Sequence, residues 1–415
     1  MDISVIAIGD ELLIGQVVDT NSGTIAKIVN PVGWKIRSVR IVADDADEIK
    51  RAITAAMAET DIVLTTGGLG PTKDDITKQT LCDYFGGEMI YDKDVEANVL
   101  EVVAKRGLKI NPLTAAQAYV PSSCKVIQNR VGTAPLMWFE NDGKVLVSMP
   151  GVPFEMEEMF QTEVFPQLRA KFNKGEVVVH KTFIVIDHSE SVLAGKLDEF
   201  ERNMPSDVHL AYLPKPGIIR LRLTAFGSDK GKIESEIADL TNQLYDIVGE
   251  SIISCEDKMP AEILGDMLRA KSMTVATAES CTGGNIAHEI TSVAGSSDYY
   301  YGSVVSYANE VKENVLGVNA EVIRTEGAVS EPVVRQMVAG ACRVIGTDCA
   351  IATSGIAGPG GGTPEKPVGT VWIATKAGGD VVAKCYHFAG NRSRVINHAT
   401  MMAEVQLIKQ LKNLF

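Results

Sequence analysis

TVATAESCTGGNIAHEIT, residues 274–291, runs from an apolar strand-like segment through Glu279, Ser280, Cys281, Thr282, Gly283 and Gly284 into a helical pattern. A strand, a glycine-containing corner and a helix make the unit from which α/β sheets are wound. The same order appears near the N-terminus. SVIAIGD (4–10) and DIVLTTGG (61–68) are β-branched runs reaching glycine, each followed by a helix-like stretch. KVLVSMPG (144–151) is a third such run, and VPFEMEEMFQTEVFPQLRAKF (152–172) reads as one closing amphipathic helix. Residues 1–172 are therefore expected to form a doubly wound, mostly parallel sheet with ligands at the carboxyl ends of its strands.

Beyond the basic stretch KFNKGEVVVHK (171–181), the pattern changes to strand (180–187), helix (189–202), strand (207–213), strand (218–226), helix (231–248) and strand (251–255). This β-α-β-β-α-β order predicts a small α+β domain over 173–255. It carries neither an aromatic RNA-stacking pair nor a GXXG clamp, and reads as a spacer or dimerisation element. Residues 256–415 add a helix (260–271) before the quoted strand, and further strands in 349–362, 368–380 and 381–390. The last two meet at Gly-Gly-Asp, a hairpin turn, so this third sheet is expected to be mixed. A terminal helix follows over about 391–411.

The 415 residues carry a net charge of −13, which argues against broad nucleic-acid binding. No apolar run approaches the roughly 18–20 residues of a membrane span. The opening MDISVIAIGDELLIG has no basic n-region and reads as a core strand, so a cytoplasmic protein is expected. The seven cysteines form no C-x-x-C, which suits reduced thiols better than zinc or disulfides.

LTTGGLGPTKDDITKQTL (64–81) is the strongest signal in the first segment. Gly67, Gly68 and Gly70 permit positive φ and close approach to a ligand, and Pro71 stiffens the exit. Asp74 and Asp75 precede a helix; they suit a hard divalent cation beside a phosphate, or else simple helix capping. In the third segment, SGIAGPGGGTPEKPVG (354–369) offers amides from Gly355, Gly358, Gly360 and Gly361 for a nucleotide phosphate or ribose, unless it is only a flexible loop. Arg392 could pair such a phosphate bidentately. At the 274–291 corner, Ser280 is the preferred nucleophile. The amides of Thr282, Gly283 and Gly284 would serve as oxyanion donors, with Thr282 alternatively a cap. Cys281 competes as nucleophile but reads better as a packing residue. No histidine stands in a convincing triad context, which leaves a desolvated lysine as the base.

These motifs resemble the competence-damage inducible protein A (CinA) family. GDELLIGQVVDTNS, TTGGLGPTKDDIT, NRVGTAP and MPGVPFEMEEMF occur in that family's order, and the first segment is similar to the MoaB/MogA-like molybdopterin-binding fold. AESCTGG, SYANEVK, GAVSEPVV and TSGIAGPGGGTPEKPVGTVWIA resemble its amidase domain. The resemblance implies deamidation of nicotinamide mononucleotide to nicotinate mononucleotide and ammonia at the C-terminal domain, without a cofactor. Ser280 would be the nucleophile, Lys312 its base, and Tyr307 an orienting or proton-relaying group. It also implies metal-dependent (Mg or Co) cleavage of ADP-ribose at the N-terminal domain. Asp10, Glu11, Asn21, Thr77, Gly132, Pro150 and Gly151 would join the glycine loop there, with Asp74 and Asp75 on the metal. A homodimer through the middle domain is implied as well. Where the family reads GTAPG this chain reads GTAPL, with Leu136 in place of glycine, and the 109–118 stretch reads KINPLTAAQA. The competing class is an adaptor or molybdopterin-like ligand-binding protein with silent pockets.

Overall fold

The computed structural model describes residues 1–72, 75–107, 109–172, 175 and 177–413, and the chain divides into two units, residues 1–179 with 226–233 and residues 180–225 with 234–415. In the first unit the strands are β1 (Asp2–Ile8), β2 (Lys35–Val42), β3 (Ile62–Thr66), β4 (Met89–Tyr91), β5 (Tyr119–Pro121), β6 (Lys125–Ile127), β7 (Leu136–Asn141) and β8 (Lys144–Met149). Six of them form one sheet in the order β2-β1-β3-β8-β7-β6. The β1–β2, β1–β3 and β3–β8 pairs are parallel, while β7 runs antiparallel to both β8 and β6. β4 and β5 pair apart from it.

Strand alternation makes both faces of this sheet apolar, as a doubly wound sheet requires. Ile62, Leu64, Val145 and Val147 pack with Ile25 and Val29 of the helix Asn21–Val29, and with Met156 and Leu168. Val63 and Leu146 pack on the other side with Ile49 and Ile53 of the helix Ala46–Glu59. Leu136 begins β7 and is fully buried in the first of these cores, so its apolar side chain serves packing. The closing helix is not one regular α-helix. A π-helical turn, Phe160–Val164, separates Pro153–Met159 from Phe165–Phe172. Pro166, two residues beyond this turn, has no N–H to return to residue 162, and a widened turn relieves the clash.

The second unit contains most of β9 (Val177–Val185) and β11 (Ile218–Gly227), with β10 (Val208–Lys215) and β12 (Ile252–Ser254), in the sheet order β10-β11-β9-β12, together with the helix Glu190–Arg202 and most of Lys230–Val248. Its other sheet contains β13 (Val275–Glu279), β14 (Tyr300–Val305), β15 (Cys349–Gly355), β16 (Thr370–Ala377) and β17 (Asp380–His387), ordered β14-β13-β15-β16-β17. β13 is parallel to β14 and β15; β16 is antiparallel to β15 and β17, joined to the latter through Gly378-Gly379. The sheet is mixed, as its hairpin signal implied.

Its faces differ in residue size. Val275, Cys349, Ile351, Val371 and Ile373 face the helices Pro260–Lys271 and Arg392–Asn413. Ala278, Ala350, Ala352 and Ala374 face the helix Glu331–Ile345, which the small side chains let approach closely. No described helix is long and apolar enough to cross a membrane.

Candidate active site

β13 ends at Glu279, and Ser280 continues its ladder by one bond, donating its N–H to Thr353 O at 3.0 Å. The chain then reverses through Gly283 (φ 64°) and Gly284 (φ 101°). Both values lie in the left-handed region that glycine occupies without a Cβ penalty. The helix Asn285–Ser292 starts there. Its N-terminal amides do not point at open space. The fully buried carboxylate of Glu279 accepts from Gly284 N at 2.9 Å, Ile286 N at 3.1 Å and Ala287 N at 2.9 Å.

That corrects the expected oxyanion cradle. The amide of Gly284 is held by Glu279, and the amide of Gly283 donates back to Ser280 O at 3.1 Å. Thr282 is buried, with its hydroxyl 2.7 Å from that of Thr353. The amides of Cys281 and Thr282 face the Cys281 sulfur, a weak acceptor. Glu279 is a residue that sequence reasoning passed over. A carboxylate just ahead of a helix N-terminus is the signal that could have found it.

Lys312, in the short helix Asn309–Asn314, is only 1% exposed. Its Nζ lies 2.7 Å from Ser306 O, 3.2 Å from Tyr307 O and 3.3 Å from Ser280 Oγ. Among the described residues no carboxylate forms an ion pair with it. Burial lowers its pKa, against smaller opposing effects of Cys281 and Glu310. A neutral amine has two N–H donors and one lone pair. The three oxygens around Nζ match the three N–H donors of an ammonium; once one proton is lost, the two carbonyls hold the remaining donors and the lone pair faces Ser280 Oγ. The cysteine one position on is disfavoured as nucleophile, because burial pushes its thiol up to about 12.

Tyr307 does not orient Lys312 through its phenol; its carbonyl does that work. The side chain is 62% exposed, and its hydroxyl accepts from Arg392 at 3.2 Å. The same guanidinium donates to Gly358 O at 2.9 Å, so Arg392 ties the start of the last helix to the 354–369 loop. Gly358 has φ 81° and Gly361 φ 86°. At Gly355 a Cβ would come within 2.7 Å of Thr370 O, which makes that position a close approach. Gly360 has no such neighbour. Ser280, Lys312, Thr282, Tyr307, Arg392 and the glycine loop are thus connected by bonds from four separate chain segments.

In the first unit, residues at the carboxyl ends of β1, β3 and β8 meet. Asn21 donates to Gly151 O at 2.9 Å, and Gly67 (φ 105°) donates to Met149 O at 3.1 Å. Gly151, after Pro150, packs on Gly67: a Cβ there would lie 3.2 Å from the Gly67 Cα. Gly68 faces Thr77, whose N–H donates to Gly68 O at 3.3 Å. Asn21 Oδ1 and Thr77 Oγ1 are buried without a partner among the described residues. Asp10 and Asp44 exchange backbone-to-carboxylate bonds at 3.1 and 3.3 Å. Burial, with the nearby carboxylates of Asp10, Glu11 and Asp75, holds Asp44 above its ordinary range. Asp44 was missed because it adjoins Asp45, whose capping of the next helix accounts for an acidic pair at that spot.

Asp75 spends its carboxylate on its own loop, accepting from Gly70 N at 2.7 Å, Thr72 N at 2.9 Å and the Thr72 hydroxyl. Asp74 lies outside the described residues. Among the described residues no group of three or more His, Cys, Asp or Glu is arranged to hold a metal ion. Pro71 is exposed at the loop's outer edge. Gly132 belongs to a separate network: its N–H donates to Asn129 Oδ1 at 2.9 Å, and its lack of a side chain makes room for Glu155. Lys78 was also passed over. Burial pushes it down to about 8, and it donates to Gln117 O at 2.9 Å.

Residues 257–411 match the family described as CinA C-terminal domain, residues 4–170 the probable molybdopterin binding domain, and residues 180–254 the damage-inducible protein CinA KH domain. A CinA-like protein of Flavobacterium psychrophilum is 41% identical over 100% of this chain and 99% of its own length. One from Cytophaga hutchinsonii is 41% identical over 98% and 97%. The crystal structure of the protein CinA with unknown function from Thermoplasma acidophilum shares 36% identity, covering 40% of this chain and 96% of that one, with a TM-score of 0.37.

Proposed function

Starting from a chain that belongs to the CinA family, we propose that its C-terminal segment is an amidase of the serine–lysine type, acting on nicotinamide mononucleotide. The observation that carries this reading is Lys312: a buried amine with two carbonyl acceptors and its third direction on Ser280 Oγ, 3.3 Å away. Neutral Lys312 takes the Ser280 proton as Oγ bonds to the carboxamide carbon. The tetrahedral oxyanion takes the amides of Cys281 and Thr282, which bond only weakly to the Cys281 sulfur. Lys312 returns the proton to the leaving nitrogen, the C–N bond breaks and ammonia departs. Water, deprotonated by Lys312, then cleaves the acyl ester to the free carboxylate and restores Ser280. Arg392 and the 354–369 amides supply donors for the phosphate and ribose.

Ammonia release from nicotinamide mononucleotide by wild type and Ser280→Ala tests this directly. Release by the wild type alone supports the serine amidase. Release by both rejects Ser280 as nucleophile, and release by neither favours the adaptor reading.

For the first unit we propose binding of a phosphate-bearing sugar ligand beside Gly68, supported by two unpartnered groups there: the Thr77 hydroxyl, a donor for phosphate, and Asn21 Oδ1, an acceptor for a sugar hydroxyl. Titration with ADP-ribose followed by calorimetry tests it, and saturable binding lost in Gly68→Val is the expected result. Metal-dependent cleavage of ADP-ribose has no comparable support among the described residues.

A further inference from the structure

The last helix carries a second cluster of polar side chains that amide hydrolysis does not use. Asn397, Thr400 and Glu404 recur at spacings of three and four on Arg392–Asn413, so they share one face. Asn285 and Glu289, four apart on Asn285–Ser292, stand opposite, and Asn285 Nδ2 donates to Thr400 Oγ1 at 2.9 Å. Together they line a cavity of about 300 Å³ whose remaining wall includes Met259 and Pro260. Glu404 is 3% exposed, and its Oε1 has no partner among the described residues. A buried polar atom left short of a bond is costly, and strain, a chemical role or a bound water or ion are the ways such a group is accounted for.

The chemistry of the lining narrows the ligand. Two carboxyl groups, two amides and a hydroxyl face the space, and no Lys, Arg or His lines it. Lys215 touches the Met259 sulfur at 3.4 Å, from the exposed side. Burial, then the carboxylates of Glu289 and Glu279, holds Glu404 well above its ordinary range, so the cavity by itself favours its neutral form; a cation bound there would offset both effects and hold the carboxylate. The volume is too large for a bare ion, and the thioether and proline walls suit a short hydrocarbon. Nor is a set of three or more metal-type ligands arranged there or elsewhere among the described residues. We propose that this cavity, beside the Ser280 turn, binds a small primary ammonium ion carrying an apolar chain.

The test is a calorimetric titration of the full chain with n-butylammonium chloride at fixed ionic strength, with n-butanol and potassium chloride in parallel. It needs no catalytic turnover, so its result stands apart from that of the amidase assay. Saturable binding of butylammonium, weakened at least tenfold in Glu404→Gln, is expected. Glu289→Gln, at an exposed position that tolerates change, should weaken it several-fold while leaving the melting temperature unchanged. Absence of saturable heat, equal affinity in both variants and wild type, or equal binding of butanol or potassium would overturn the proposal. A fall of several degrees in the melting temperature of Glu404→Gln would mark the carboxyl as structural, and overturn it too.

Discussion

Glu279 Oε2 accepts the backbone N–H of Gly284 at 2.9 Å, so the residue before Ser280 holds closed the turn that presents it. The same carboxylate takes two further amides of the following helix while fully buried. One side chain thus fixes both the end of β13 and the start of the helix. Glutamine there keeps one acceptor oxygen but puts an NH₂ group against amide donors. Glu279→Gln is expected to lower stability by about 2–3 kcal/mol and to reduce turnover with it. Urea unfolding beside the ammonia assay checks both; an unchanged midpoint would contradict the bracing role.

Lys312→Met should fold and lose about 10²–10⁴-fold in kcat, the range expected for a general base. The pH dependence has a definite sign. The folded pKa of Lys312 lies below 10.5, so the folded state binds fewer protons than the unfolded one between those two values. Wild-type turnover therefore rises with pH through the folded pKa. Over the same window up to about pH 10.5, wild-type stability rises relative to Lys312→Met. Paired rate and unfolding profiles against pH decide it; parallel stability profiles for the two proteins would contradict the buried-amine account.

Cys281 offers a contrasting case. It is 6% exposed within an apolar core, and its thiol sits at about 12. Cys281→Ala is expected to keep kcat within about twofold while losing roughly 1–2 kcal/mol of packing. Alkylation of this position by iodoacetamide in the folded protein should be slow. Rapid alkylation that abolishes ammonia release would move the nucleophile from Ser280 to Cys281.

Two glycines separate backbone need from sequence resemblance. Gly284 has φ 101°, and alanine there should cost about 1–2 kcal/mol. Gly360 lies outside the positive-φ set and has open space where a Cβ would go, so Gly360→Ala should leave stability unchanged. Thermal melts of the two variants give the comparison, and equal shifts would contradict it.

Asp75→Ala removes the acceptor for Gly70 N, Thr72 N and the Thr72 hydroxyl. The expected result is faster amide hydrogen exchange at Gly70 and Thr72, with about 1 kcal/mol or less lost globally. Unchanged exchange there would show that the loop is held by something other than this carboxylate.

The sequence by itself determined the parts whose physics is local. Alternating apolar residues set strands with two buried faces, glycines at strand ends marked the reversals, and Gly378-Gly379 announced the antiparallel hairpin. Ser280 could be singled out because a hydroxyl at a strand-to-helix corner is legible in one dimension. The motif resemblance placed Lys312 near it, though nothing about a lysine in a short helix reveals that its amine is buried. Only the tertiary structure decided that, because Ser306 and Tyr307 reach Nζ from a strand end and Ser280 from a turn 32 residues before Lys312. It also decided where the helix amides go. Glu279 and Gly284 each suit more than one role in isolation, and the carboxylate claims the amide because a buried charge must find donors. Asp75 turned to its own loop, where Gly70 and Thr72 offer donors close in sequence. Hydrogen-bond partners are assigned by competition among all the groups the fold brings together, and that competition is not written in the spacing of any one motif.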